Sequence, residues 1–75
     1  MAYFITYFDK TNKVKFKPSS SGFSVFKSKD EAEMVLGIQL SSPYAAMMGF
    51  SGFAIREFKN VAEAKQWAKD NSASN

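Results

Sequence analysis

Two kinds of hydrophobic pattern open this chain. Tyr3-Phe4-Ile5-Thr6-Tyr7-Phe8 is aromatic or β-branched at every position, which predicts a strand. Val14-Lys15-Phe16-Lys17 alternates with period two, setting Val14 and Phe16 on one face and Lys15 and Lys17 on the other. The polar run over 9–13 predicts a turn, so the two segments form a hairpin. Pro18 ends the second strand because its ring removes a backbone donor. Ser19-Ser20-Ser21-Gly22 follows as a loop, and residues 23–27 form another short extended run.

Helical spacing then takes over. Ser28 is a natural N-cap with Glu31 three residues on, the signature of a capping box. Ala32, Val35, Leu36 and Gln39 or Leu40 recur at intervals of three and four, giving a modest apolar face that Gly37 weakens. Ser41-Ser42-Pro43 predicts a stop and a short second helix over 44–48, with Ser42 as cap and Pro43 at the first helical position. Gly49-Phe50-Ser51-Gly52 reads as a turn and residues 53–58 as a strand. Asn60 caps a last helix whose apolar stripe is Val61, Ala64, Trp67 and Ala68.

The expected fold is α+β: a three-stranded antiparallel sheet, open to an extra hairpin strand, packed on two main helices, plus a short third one. A single compact domain over 1–71 precedes a frayed polar tail, 72–75. Phe26-Lys27-Ser28 with Glu31-Ala32 is echoed by Phe58-Lys59-Asn60 with Glu63-Ala64. The capping box is generic, so convergence of two strand-to-helix junctions explains the echo more simply than one unit used twice.

Composition narrows the chemistry. The chain has 75 residues, no Cys and no His, which excludes disulfides, thiolate metal sites and most nucleophile–base pairs. Asp30, Glu31 and Glu33 share one helix start, where the helix dipole accounts for them better than acid–base work does. The expectation is a binding protein rather than an enzyme, with no catalytic residue, metal or cofactor. No segment has the pattern of a signal peptide or membrane span, so an intracellular, cytoplasmic protein with no membrane contact is expected.

The net charge of +3 is unevenly placed. Residues 1–29 hold six lysines against Asp9, a net +5, and residues 30–75 carry a net −2. A basic front half suits a polyanionic partner.

One stretch has a known likeness. Gly49-Phe50-Ser51-Gly52, then Phe58-Lys59-Asn60, Glu63-Ala64 and Trp67, resembles without a gap the Gly-Phe-Pro-Gly-x5-Phe-Lys-Thr-x-x-Glu-Ala-x-x-Phe signature. That signature belongs to the hybrid-binding domain of eukaryotic ribonucleases H and caulimovirus viroplasmin. Phe26-x-Ser28-x-x-Glu31-Ala32 and Tyr3-Phe4-Ile5-Thr6 are similar to that family's first helix junction and opening strand. The resemblance implies a three-stranded antiparallel sheet flanked by two helices, and binding of RNA–DNA hybrid or double-stranded RNA. Lys29 stands where the family has a nucleic-acid-contacting Trp, and Glu57 where it has a cation. Residues from Gly37 to about Met47 form an insertion.

The candidate duplex contacts are Lys13, Lys15, Lys17, Ser21, Gly22, Lys27, Lys29, Arg56 and Lys59. The cations would meet phosphates, and the loop would bring backbone donors and hydroxyls. Tyr3, Tyr7, Phe8, Phe23 and Phe26 offer stacking surfaces, but a core this small claims most of them. The alternative is a small protein-interaction or inhibitor module, of the phage- or plasmid-regulator type. Its surface would be Tyr44, Met47, Met48 and Phe50, with Met34 beside them, where flexible Met side chains suit an adaptable interface. A monomer or weak dimer is expected.

Overall fold

A computed structural model describes residues 2–17 and 25–72. It places strand β1 at Ala2–Phe8, β2 at Val14–Lys17 and β3 at Ser51–Phe58, with helices α1 at Lys29–Ser41, α2 at Tyr44–Met47 and α3 at Val61–Asn71. The sheet is antiparallel in the order β2-β1-β3, giving the expected small α+β fold.

The aromatic and β-branched run of β1 follows from its central place, because both its faces are covered. Phe4 packs with Phe58 and Ala64, joined by Phe16 and Trp67, so α3 covers this face. Ile5 packs with Phe26 and Ala32, joined by Val35, Leu36, Phe53 and Ile55, so α1 covers the other. The molecule is thus three layers, helix–sheet–helix, with a half-core on each side. Phe4 meets Phe16 and Phe58 edge-on, each at a centroid distance of 5.6 Å, the favoured aromatic geometry.

The sequence echo is architectural. Phe26 bridges Tyr3, and Phe58 pairs with Ala2, on opposite sides of β1. Ser28 Oγ accepts from the Glu31 N–H at 3.2 Å, and Asn60 Oδ1 accepts from the Glu63 N–H at 2.9 Å. Ala32 and Ala64, both fully buried, then seat one helix on each face. The unit is used twice around the central strand, beyond what convergent capping requires. The second box closes one residue early: Glu63 Oε1 accepts from the Lys59 N–H, not from Asn60.

Several boundaries differ from expectation. Helix α1 runs through Gly37 to Ser41, and its inner face takes Gln39 while Leu40 stays 64% exposed. Helix α2 begins at Tyr44 as expected but ends at Met47, one residue short, and Pro43 is its N-cap residue rather than its first helical one, although Ser42 Oγ accepts from the Tyr44 N–H at 3.2 Å. Strand β3 absorbs Ser51 and Gly52: an extra residue between the Thr6–Ala54 and Phe8–Ser51 pairs makes a bulge, with Gly52 at φ 67°. Val61 lies exposed, leaving Ala64, Ala68 and half-buried Trp67 to carry the inner stripe of α3. Ser72, placed in the tail by composition, is hydrogen-bonded. Its hydroxyl donates to Ala68 O at 2.6 Å and accepts from the Val14 N–H at 2.9 Å, tying the end of α3 to β2.

Candidate nucleic-acid interface

The hairpin turn sets the start of the basic edge. Asp9 accepts from the N–H of Thr11 at 2.8 Å, from its hydroxyl at 2.6 Å and from the N–H of Lys13 at 3.0 Å. These bonds hold the Asp9 carboxyl below its usual range, the Thr11 hydroxyl contributing most. Asn12 takes the left-handed conformation at φ 63°, which Asn tolerates. Lys13 leaves this turn exposed.

From there Lys15 pairs with Tyr7 and Lys17 with Ile5 along one side of β1. Tyr3 pairs with Glu57 on β3, so its bridge to Phe26 lies on the β2 side. The segment holding Phe26 and Lys27 therefore continues the edge that β2 begins. Of the proposed contacts, Lys15 and Lys17 lie on this edge by their pairing, Lys13 immediately precedes it, Lys27 follows the Phe26 bridge, and Lys29 is the first residue of α1, two positions further on. From Lys15 to Lys27 the row spans roughly 17 Å, at about 3.3 Å per residue of β1. All but half-buried Lys17 are exposed. Asp30 and Glu31, in the first turn of α1, offset part of the charge at the far end.

Two of the expected cations sit elsewhere. Arg56 is on β3, on the face that α3 covers. Its guanidinium lies 4.2 Å from the Trp67 ring centroid, and its Nε donates to the buried Thr6 Oγ1 at 3.1 Å. It is a half-buried packing residue and does not join the lysine row. Lys59 is exposed at the end of β3, on the sheet edge away from the row. Ser21 and Gly22 lie outside the described residues.

The expected protein-binding segment is only partly a surface. Tyr44, Met47 and Met48 are exposed, Met47 by 81%. Phe50 is half-buried, its ring 4.8 Å from Tyr7. Met34 is exposed on α1 as well, and the structure adds Ile38 and Leu40 on the same helix. Once Ala32, Val35, Leu36 and Gln39 are assigned inward, the spacing of Met34 and Ile38 points them out, a signal present in the sequence.

On the α1 side of the sheet a cavity of about 230 Å³ is lined by Tyr7, Lys17, Gln39, Tyr44, Phe50 and Phe53. Burial pushes the Tyr7 hydroxyl up, helped by Asp9 and Tyr44, so Tyr7 is neutral at physiological pH. A second hollow, beside Phe8, Asn12 and Asp70, has no basic side chain in its lining. Among the described residues no cluster of acids is arranged to hold a metal ion, and no helix is long and apolar enough to cross a membrane.

Fold and site together define a small three-layer α+β domain with a basic sheet edge. Comparison with protein families, curated proteins and solved structures finds no match to the chain.

Proposed function

We propose that the protein binds a nucleic-acid duplex, RNA–DNA hybrid or double-stranded RNA, without sequence preference along the lysine edge. The single observation that carries this reading is that β2 and the Phe26 segment follow each other along one side of β1, which brings Lys13, Lys15, Lys17 and Lys27 to one sheet edge, with Lys29 at the start of α1 beyond it. Flexible ammonium groups in a row match a chain of phosphates and carry no base-specific geometry. The likeness of residues 49–67 to hybrid-binding domains supports the same ligand class, without relying on Arg56.

Phosphate contacts predict a steep salt response, with a slope of about −0.9 in log K against log salt per phosphate neutralised. Binding isotherms on hybrid, double-stranded RNA and DNA duplex between low and moderate salt measure it. Lys15→Glu, Lys17→Glu and Lys29→Glu together should abolish binding, and each lysine neutralised singly should reduce the slope by about one. Affinity that ignores salt, or survives the triple reversal, rules the reading out.

A second reading rests on the exposed apolar side chains of α1 and α2, namely Met34, Ile38, Leu40, Tyr44, Met47 and Met48. A surface of this kind suits a protein partner. In that case Met47→Ser with Met48→Ser removes binding that nuclease treatment and the lysine reversals leave intact.

A further inference from the structure

The cavity beside Lys17 has a chemistry of its own. Its walls are aromatic and come from distant parts of the chain: Tyr7 from β1, Tyr44 from α2, Phe50 from the segment before β3, and Phe53 from β3. Tyr7 lies stacked on Phe53, at 4.9 Å with 22° between the planes, and Phe50 closes against it at 4.8 Å. Tyr44 meets Phe50 edge-on at 6.4 Å and is itself 56% exposed, so one wall stands at the surface.

Besides the tyrosine hydroxyls, two polar side chains join the aromatic lining. Gln39 occupies an inward position of α1, one turn after Leu36, where Leu would fill the space. Lys17 supplies the cation, and it alone of the row is half-buried. Aromatic walls select a planar ring, an amide reads a hydrogen-bonding edge, and an ammonium takes an anion. A nucleobase carrying a phosphate has all three.

We propose that this cavity takes one unpaired nucleobase, with its phosphate on Lys17. The inference rests on the lysine row as a phosphate track, because Lys17 belongs to both. A strand following the row passes the cavity, and a nucleotide free of its partner turns inward there. The base ring lies against the Tyr7, Phe53 and Tyr44 walls while the Gln39 amide hydrogen-bonds its edge. A closed duplex reaches only the lysines.

The experiment uses the full chain at one fixed salt concentration and three ligands: a blunt RNA–DNA hybrid, the same hybrid with a single bulged adenosine, and free adenosine 5′-monophosphate. The bulge should raise affinity by roughly five- to a hundredfold, the gain that stacking one base supplies. Gln39→Leu, which keeps the packing, and Tyr44→Ala should each remove most of that gain and leave blunt-hybrid affinity and its salt slope unchanged. In NMR spectra the monophosphate should shift the Gln39 side-chain amide, and inorganic phosphate should not.

Equal affinity for blunt and bulged hybrid, with no shift at Gln39, overturns the pocket and leaves the lysine edge standing. A gain that survives both substitutions also overturns it. A Gln39 shift with the monophosphate, in a protein that ignores the blunt hybrid, sinks the duplex reading and retains the pocket for a free nucleotide.

Discussion

Arg56 shows how one side chain's role is settled by its neighbours. As the cation of the third strand it belongs with the lysines by composition, yet it stacks on Trp67 and donates to Thr6 within the α3 layer. Arg56→Ala should therefore cost about 1–3 kcal/mol in urea unfolding, from the lost cation–π contact and a buried hydroxyl losing its donor. The salt slope of duplex binding should not move, and a fall of one unit would return Arg56 to the interface. Asp9 makes a prediction with pH. Its carboxyl is held below its unfolded value, so its stabilisation is present above the unfolded range and lost as pH falls through the folded value. The stability gap between wild type and Asp9→Ala should close below about pH 4, near the reference carboxylate value. A gap that stays constant through that range would show that the ionised carboxylate is not what holds the turn.

At the scale of elements, two glycines respond oppositely to the same change. Gly37 lies inside α1 with nothing within 4 Å of an added Cβ, so Gly37→Ala should stabilise by about 0.5–1 kcal/mol through helix propensity. Gly52 forms the β3 bulge at positive φ, and a Cβ there would stand 2.8 Å from the Phe8 ring. Gly52→Ala should destabilise by at least about 1 kcal/mol in the same thermal unfolding series. Equal effects at both sites would contradict the bulge. The elements themselves were legible: capping residues and strand alternation act within a few residues. The start of β3 was not, because Gly-Phe-Ser-Gly has turn chemistry, and only pairing with Phe8 turns Ser51 and Gly52 into strand. Gln39 and Leu40 were equally undecided, since one residue of helix rotation separates inward from outward.

Across the whole molecule, the domain closes where α3 meets β2. Ser72 joins them through the Val14 N–H, so Ser72→Ala should cost about 1–3 kcal/mol in denaturant unfolding by leaving that partly buried donor without its acceptor. An unchanged midpoint would restore the tail that the polar composition of residues 72–75 suggests. Local chemistry in the sequence determined the α+β class, the hairpin, the two capped junctions and the excess of cations in the front half. These depend on contacts within a few positions of each residue. Tertiary structure alone decided that the repeated junction covers opposite faces of β1. It also decided that residues 26 and 27 extend the β2 edge, that Arg56 leaves the lysines for Trp67, and that four separated aromatic rings enclose one cavity. Each of these depends on which strand lies beside β1 and which face each helix covers, and that choice is made by long-range packing of both half-cores at once.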